Sequence, residues 1–443
     1  MPEKIVIIGG GFTGLAAARA LARSDARPQL TLLESGPTFG GLAQGFPLCG
    51  TTLEKAYHYL LLGDSAILTL VRELGLEQEL IYRTGSVAIF HGGRIHPFTT
   101  PLDVLRFTPL RFRDRVRFGF AMLWLQRLRD WRPLAAQTAR DWLERACGPG
   151  VMRTIWEPLL RGKFDQYGDQ VSMAWLWARV HTRANSRVGG RERLAYVRGG
   201  FASVIRAMEK ELVAAGANLR TDAKVDRIET GPGRRIVLAD GESIAFDRCL
   251  FTGPSEAFSR VLPREPALDD YRRQLESVTY LGAICVILVT DQELGGHHWV
   301  NIHDPAAPFL VFINHTALVG TESYQGRHVY YLACYLPPDS ASFARDDTAL
   351  LAEWLACLSG MFPAFDRSRL QAQHVFRFRN AQHVVDCSYA DRIPDFRTPL
   401  PGVYLANFSQ IFPYDRGTNF AVRDGQKLAA MMLEDARSGA RPA

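Results

Sequence analysis

The sequence lacks the features of secreted and membrane-spanning proteins. Its seven cysteines are scattered over 443 residues and form no C-x-x-C pair, which argues against a disulfide framework. No stretch approaches the roughly 20 apolar residues that a membrane-spanning helix needs, and no basic region followed by a cleavable apolar core opens the chain. We therefore expect a cytoplasmic protein, with docking on a membrane surface as the alternative.

The residue patterns of hydrolases and metalloenzymes are also missing. No Ser-His-Asp arrangement and no pair of carboxylates stands out. His297, His298 and His303 have no zinc-site spacing and are not accompanied by cysteines or an acidic cluster. We predict neither hydrolytic catalysis nor a metal site.

Basic charge is confined to one segment. The net charge of the chain is +6, and residues 106–132 alone contain eight arginines and two aspartates, so the rest of the chain is neutral. A local patch of this kind does not indicate nucleic-acid binding. The segment contains Phe118 to Leu125, an apolar run with arginines on both sides. Such a helix either sinks into an anionic membrane surface or lies buried with its arginines paired to acids elsewhere.

A glycine-rich turn near the N-terminus is the most informative feature present. The apolar run at 4–8 predicts a strand that leads through G-x-G-x-x-G into a helix, and a second strand at 30–33 ends in an acid. In such a unit the glycines allow a tight turn, a close approach of the backbone to a pyrophosphate and close helix packing, while the acid binds a ribose. The residues in these roles are Gly9, Gly11, Thr13, Gly14 and Glu34. The sequence therefore predicts a dinucleotide-binding domain.

Beyond this unit the pattern predicts insertions into the nucleotide-binding domain. Asp64 and Ser65 are expected to cap the first helix of the insertions. Strands are expected over much of 277–336. Helices are predicted at 64–76, over most of 102–180, at 203–215 and at 419–433, and hairpins at 84–97 and around Asp240-Gly241.

A glycine doublet, Gly40-Gly41, follows Glu34. With it the chain resembles the flavin amine oxidase superfamily, which includes protoporphyrinogen oxidases, carotenoid desaturases and UDP-galactopyranose mutases. The resemblance implies FAD rather than NAD. Later segments resemble further FAD motifs of that superfamily: Val197-Arg198-Gly199-Gly200-Phe201, Val225, Cys249 to Pro254, and Tyr404-Leu405-Ala406 with Asp415-Arg416-Gly417 and Asn419. The resemblance implies FAD held by three separated parts of the chain.

From the fingerprint and the resemblance together we predict sixteen cofactor-binding residues. They are Gly9, Gly11, Phe12, Thr13, Gly14, Glu34, Ser35, Gly40, Gly41, Leu42, Val225, Thr252, Gly253, Arg416, Gly417 and Asn419. The implied fold is α/β, with a discontinuous, glutathione-reductase-2-like Rossmann-type FAD-binding domain, an α+β substrate domain and a helical insertion. The expected FAD-binding parts are 1–62, 195–262 and 397–436, with a mainly helical insertion at 63–194 and the substrate domain at 263–396.

Candidate catalytic residues come from the resemblance alone. His58 lies in a segment similar to one that places a histidine beside the flavin in UDP-galactopyranose mutases, where it would tune the ring or relay a proton. Arg161 and Lys163 lie in a similar basic segment and would pair with an anionic substrate group or stabilise anionic flavin. The mutase pattern then breaks off at Asp165-Gln166-Tyr167-Gly168, so an oxidoreductase is the favoured interpretation.

We therefore expect an FAD-dependent oxidoreductase that takes a hydride from a substrate C–H or C–N bond to flavin N5. Its partner is a small molecule, apolar or lipid-linked, because the corresponding insertion of protoporphyrinogen oxidase faces the membrane. A redox-neutral sugar isomerase of the mutase kind and a flavin-binding module without turnover are the alternatives. The sequence identifies neither the substrate, nor the electron acceptor, nor the oligomeric state.

Overall fold

A parallel β-sheet carries the predicted glycine turn. The computed structural model describes residues 2–231 and 233–438. The sheet has five strands, and its pairings are parallel. In spatial order the strands are Asn218–Arg220, Gln29–Leu33, Lys4–Ile8, Arg248–Phe251 and Val403–Leu405. Strands that lie far apart in the sequence thus meet on both sides of the first strand.

Both faces of this sheet are covered, as parallel strands require. Alternate residues of a strand point to opposite faces, so Ile5 and Ile7 belong to one core while Val6 and Ile8 belong to another. The first core is closed by the helices Phe12–Ala22, Ser65–Glu73, Phe201–Ala214 and Thr418–Arg437. The second is closed by the strands Val225–Glu229, Arg235–Leu238 and Ser243–Ala245 and the helices Ser255–Val261 and Asp269–Glu276.

A second large sheet is mixed. The helix Asp347–Met361 packs on one of its faces, and residues of the other face, such as Tyr331, pack on Leu53 and Tyr196. One pairing, between Trp299–Ile302 and Val87–His91, is parallel, and the others are antiparallel. The seven strands in order are Leu370–His383, Tyr280–Thr290, His328–Leu336, Val311–Asn314, Trp299–Ile302, Val87–His91 and Arg94–Pro97.

Helices make up most of residues 101–184. Their core is rich in tryptophan, with Trp156, Trp175 and Trp177 buried. The helices are Pro101–Arg106, Phe112–Arg127, Arg132–Ala135, Ala139–Cys147, Pro149–Val151, Met152–Trp156, Glu157–Phe164 and Met173–Ala184. Short strands flank them at Gly45–Leu48, Thr51–Glu54, Leu60–Leu61, Leu80–Thr84, Arg187–Val188 and Arg191–Val197. In the part of the chain that the structure describes, no helix is both long and apolar enough to cross a bilayer.

The predicted mixed α/β fold and both predicted hairpins are confirmed. One capping prediction is wrong. The helix expected at 64–76 spans Ser65–Glu73, and its first amides are bound by the Asn419 side chain, whereas the Asp64 carboxylate accepts a hydrogen bond from the Leu61 amide. This helix also packs in the core of the parallel sheet, although it lies within the insertion predicted at 63–194.

Candidate active site

The turn after the first strand is built by close backbone contacts. Gly9 has φ +110°, and a Cβ there would lie 2.3 Å from the Thr252 hydroxyl oxygen. A Cβ on Gly14 would lie 2.0 Å from the Gly9 carbonyl oxygen. Only glycine fits such positions. The turn is therefore held against the loop that follows the fourth strand of the sheet.

The glycine doublet lies beside this turn. The Gly40 amide donates to the Gly10 carbonyl at 2.8 Å, and a Cβ on Gly41 would lie 3.2 Å from the Gly11 Cα. The helix Phe12–Ala22 begins here with no side-chain cap and no acid in its first turn. Its free amides and positive dipole end suit a pyrophosphate. The donors and the missing side chains thus fit a dinucleotide.

Glu34 is fixed by its own loop. Its carboxylate accepts hydrogen bonds from the Gly10 and Gly36 amides, both at 2.8 Å, and from the Ser35 hydroxyl at 3.2 Å. A carboxylate has about four acceptor positions, so one remains for a ribose hydroxyl. The geometry agrees with the predicted ribose-binding role.

The remaining candidates of the nucleotide side contribute backbone or partly exposed atoms. The Phe12 ring is buried and packs edge-to-face on Phe201 with centroids 5.5 Å apart, which leaves its backbone for a cofactor. Val225 is buried at the start of its strand, and Asn407 binds the Gly253 carbonyl at 3.0 Å. Thr13 and Leu42 are half-buried. Their contacts with FAD stay predictions.

The C-terminal motif offers a second open helix end. Gly417 precedes the helix Thr418–Arg437, which has no side-chain cap and no acid in its first turn. Asn419 is already engaged, because its side-chain oxygen accepts from the Ala66 amide at 2.9 Å. This end of the helix fits the electron-rich edge of a flavin.

His58 lies near Arg416 of the C-terminal motif, and its imidazole ring is neutral. Its Nδ1 lies 2.7 Å from the Ala56 carbonyl oxygen, so Nδ1 carries the hydrogen. Burial lowers the pKa of His58 to about 4, with Arg416 acting in the same direction. The ring packs on Phe201 with centroids 5.5 Å apart. At neutral pH His58 therefore holds a hydrogen bond and carries no charge, which does not favour the predicted proton relay.

Lys163 belongs to a half-buried charged cluster. Asp415 Oδ2 lies 3.0 Å from Lys163 Nζ and 2.5 Å from Arg179 Nη1, and Arg416 completes the group. We call these four residues the charged cluster. Arg416 also donates to the Tyr335 hydroxyl at 3.0 Å. Two cations thus pair with one carboxylate, and a third, Arg416, acts on it electrostatically. Asp415 Oδ1 and Arg416 Nε are buried without a protein partner in the described residues.

Burial and charge set the protonation of this cluster. Burial lowers the pKa of Lys163 to about 7, although the attraction of Asp415 acts in the opposite direction. Burial alone would raise the pKa of Asp415, but Lys163, Arg179 and Arg416 together hold it well below its ordinary range. The carboxylate therefore stays ionised while Lys163 titrates near neutrality.

Arg161 lies outside this cluster. Its side chain is 71% exposed and its guanidinium lies 3.9 Å from Glu157. The helix Glu157–Phe164 turns about 100° per residue, so two residues of separation send Arg161 and Lys163 to different sides. The structure brings His58 and Lys163 towards Arg416 and leaves Arg161 at the surface.

An aromatic wall continues from the cluster. The Tyr57 hydroxyl lies 2.7 Å from His298 Nε2, and the Tyr57 ring packs on Tyr59 and Trp299. Burial lowers the pKa of His298 to about 4, so the histidine is neutral. Tyr57 and Tyr59 keep partial solvent access while burial raises the pKa of both hydroxyls. These two tyrosines are thus partly accessible to solvent within a mainly aromatic surrounding.

Several residues of this region carry no sequence signal. Arg179 and Tyr335 lie far from Asp415 in the chain, and only the fold brings them together. Glu54 is fully buried, accepts from the Tyr196 hydroxyl at 2.6 Å and from the Phe201 amide, and so holds the start of the helix Phe201–Ala214.

Comparison with known proteins agrees with this geometry. The model of the flavin-containing amine oxidoreductase family matches residues 12–432. The chain belongs to this family. It is an FAD-dependent enzyme, an oxidoreductase of the amine oxidase family, and the glycine contacts and the two open helix ends fit that cofactor.

Three relatives show how far the similarity extends. Coproporphyrinogen III oxidase of Staphylococcus aureus is 24% identical over 331 residues, which cover 66% of this chain and 68% of that enzyme. The 15-cis-phytoene desaturase of Solanum lycopersicum is 21% identical over 462 residues, covering 98% and 78%. The crystal structure of reduced UDP-galactopyranose mutase has a TM-score of 0.76 at 16% identity, covering 98% and 96%. This last likeness shows the shared fold alone.

Proposed function

We propose that this flavoenzyme oxidises a small apolar or lipid-linked substrate by hydride transfer from a C–H or C–N bond to flavin N5. FAD supplies the hydride acceptor. The observation that supports the proposal is the charged cluster, in which Lys163 and Arg179 pair with Asp415 of the C-terminal flavin motif and Arg416 adds a third positive charge. Positive charge fixed beside an electron acceptor favours the arrival of electrons there.

Lys163 makes this charge dependent on pH. Below its pKa of about 7 the ammonium adds a cation to those of Arg179 and Arg416 and can pair with an anionic substrate group. Above that pH the amine is neutral. We expect the rate of substrate oxidation to fall as pH rises through this range.

The aromatic wall would hold the apolar part of the substrate. Tyr57, Tyr59 and Trp299 offer ring faces and edges, and the hydrogen bond between Tyr57 and His298 fixes one ring in place. Aromatic side chains give large contact areas at little entropic cost. Their role in this proposal is to orient the reacting bond and exclude water.

Two findings support the compartment and the class of substrate that we propose. The seven cysteines are all free, in keeping with the reducing cytoplasm that we propose as its compartment. The relative from tomato is named a phytoene desaturase, and a polyene is an apolar substrate of the class that we propose here.

The test is anaerobic reduction of the bound flavin. The purified protein is mixed with amines, porphyrinogens, polyenes and nucleotide sugars, and the flavin absorbance is followed. Bleaching by one class supports the proposal and identifies that class. Turnover of a nucleotide sugar only after reduction with dithionite, without bleaching by any compound, would instead favour the redox-neutral isomerase.

A matched pair of variants connects the reaction to the charged cluster. Lys163→Gln should slow flavin reduction by the active compound, by about tenfold or more. Arg161→Gln, two residues away on the same helix but at the surface, should leave the rate unchanged within about twofold. Equal loss in both variants would contradict the role of the cluster.

A further inference from the structure

Exposed apolar side chains are concentrated on one side of the helical insertion. Of the eight large apolar side chains exposed in the described residues, six lie between 102 and 124. We call this set the apolar face. Its members are Leu102, Leu105, Phe112, Phe120, Leu123 and Trp124, with exposures from 44% to 70%. Such a concentration is unusual for a surface that meets only water.

The arginine-rich helix Phe112–Arg127 is apolar on two opposite sides. Phe118, Ala121 and Leu125 are buried and recur at the spacing of one helix face. At about 100° per residue, Phe112 and Leu123 fall on the opposite side. The packing of the fold accounts for the inner stripe and leaves the outer stripe without a partner in the described residues.

Arginines surround the apolar face with little neutralisation. Seven of the eight arginines between 106 and 132 are exposed. Within the described residues only Arg113 and Arg132 form ion pairs, each with a neighbouring aspartate in the same segment. A buried helix with its arginines paired to acids elsewhere is therefore not what the structure contains.

Two of the arginines have a structural role. Arg115 donates to the carbonyls of Leu105 and Leu110, and Arg117 donates to that of Ala146 at 2.7 Å. These bonds attach the arginine-rich helix to its neighbours. Arg111, Arg127 and Arg129 are exposed and form no ion pair in the part described, so their charge is available to a partner.

A groove opens beside the apolar face. Its volume is about 480 Å³, and its walls include Trp124, Trp142 and Arg113. The two tryptophan rings stack with centroids 5.6 Å apart. Tryptophan and arginine together are typical of positions between hydrocarbon and lipid headgroups.

We propose that the apolar face docks on an anionic lipid bilayer, with Phe112, Phe120 and Leu123 inserted and the surrounding arginines at the headgroups. Charge favours this occupant. A second copy would bring two segments of net charge +6 against each other in a symmetric contact, whereas anionic lipids neutralise them. The proposal does not depend on which substrate the enzyme oxidises.

The test measures binding to vesicles. FAD-loaded protein is sedimented with vesicles of equal parts phosphatidylcholine and phosphatidylglycerol, and with vesicles of phosphatidylcholine alone. We expect binding to the anionic vesicles, weaker binding to the neutral ones, and release by high salt because exposed charges are screened. The double variant R127E/R129E should weaken anionic binding by at least about 30-fold, and Phe120→Ser with Leu123→Ser by about tenfold or more.

Matched controls carry the same changes on other surfaces. R206E/R264E reverses two exposed arginines outside the insertion, and Val213→Ser removes an apolar side chain that is 61% exposed. Both should bind like the unchanged protein within about twofold. Flavin absorbance and thermal midpoint establish that every variant is folded.

Three outcomes would overturn the proposal. They are failure of the unchanged protein to bind anionic vesicles, equal losses in the test and control variants, and a dimer in analytical ultracentrifugation that the F120S/L123S variant dissociates. The last result would assign the apolar face to self-association.

Discussion

The two sides of the active site are held together by different forces. On the nucleotide side, backbone meets backbone: Gly14 lies against the Gly9 carbonyl, and Gly41 lies against Gly11. On the side of the charged cluster, which we call the substrate side because we propose that substrate binds there, long side chains from distant elements converge, and Asp415 binds Lys163 and Arg179. One side depends on the absence of side chains and the other on their charge.

This difference predicts opposite sensitivities. The nucleotide side should fail when a single methyl group is added, because backbone atoms cannot move away as a flexible side chain can. The substrate side should tolerate changes of shape and respond to changes of charge and pH, because its energy comes from ions removed from water.

Gly14→Ala should have the largest effect, the loss of both stability and bound FAD on the nucleotide side. The new Cβ would lie 2.0 Å from the Gly9 oxygen, and the helix must move away from the sheet. We expect a loss of about 3 kcal/mol or more in the free energy of unfolding, together with loss of bound FAD. Thermal unfolding and flavin release measure both.

Gly119→Ala is the matched control. This glycine also lies in a helix, but a Cβ there would meet nothing within 4 Å. Alanine should therefore stabilise the protein by about 0.5–1 kcal/mol through helix propensity. Similar losses in both variants would show that the close approach at Gly14 is not what holds the turn.

Asp415→Asn should have the next largest effect, a loss of stability on the substrate side. The change keeps the shape and leaves Lys163, Arg179 and Arg416 without their carboxylate. The Asp415 side chain is 20% exposed, so some of the cost is screened, and we expect a loss of about 2 kcal/mol in the free energy of unfolding. Asp339→Asn is the control, since its ion pair with Arg379 is 87% exposed on the aspartate side and should contribute no more than about 0.5 kcal/mol.

If the two aspartate variants behave alike, the charged cluster is an ordinary surface network. If Asp415→Asn also loses FAD as readily as Gly14→Ala, the distinction between the two sides is wrong, because cofactor retention would then depend on the cluster as well.

The nucleotide side is the one that the sequence predicts in detail. Gly9, Gly14 and both glycines of the doublet fall where a Cβ would collide or where φ is positive, and the acid Glu34 lies in the loop beside them. Gly11 differs, since a Cβ there would lie 3.9 Å from the Gly41 Cα, an ordinary contact distance. Such positions are visible in a sequence because they require one residue type at a fixed local spacing.

The substrate side could be predicted only in fragments. Lys163 and Arg416 were candidates by resemblance, but their meeting with Arg179 depends on how a helix of the insertion packs against the C-terminal loop. Any lysine or arginine can serve in such a cluster, so the sequence carries no distinctive signal. Arg161 shows the converse, since it lies two residues from Lys163 and yet faces solvent.

The pH dependence of Lys163 should differ between stability and rate. The pKa of Lys163 falls from its ordinary 10.5 to about 7, so between these values the unfolded chain binds more protons than the folded one. Stability attributable to this group therefore rises with pH over that window, while the proposed rate falls by about tenfold as the charge is lost. Lys163→Met should remove both trends, as followed by thermal midpoints and by flavin reduction from pH 6 to 10, a range set by this roughly three-unit shift.

A Lys163→Met variant that keeps the inflection near pH 7 would assign the titration to another group. A Gly119→Ala variant is again the control and should retain the full pH dependence.

The smallest effect concerns Asn419, which joins the C-terminal helix Thr418–Arg437 to the helix Ser65–Glu73. Its side chain caps a helix about 350 residues earlier in the chain, in place of Asp64. Asn419→Ala should cost about 1 kcal/mol and speed hydrogen exchange at the Ala66 and Ile67 amides, whereas Asp64→Ala should expose the Leu61 amide, which it binds at 2.8 Å. If Asn419→Ala leaves Ala66 protected while FAD is lost, the residue serves the cofactor directly. If protection and FAD are lost together, the cap is the means by which the insertion is fixed to the nucleotide side.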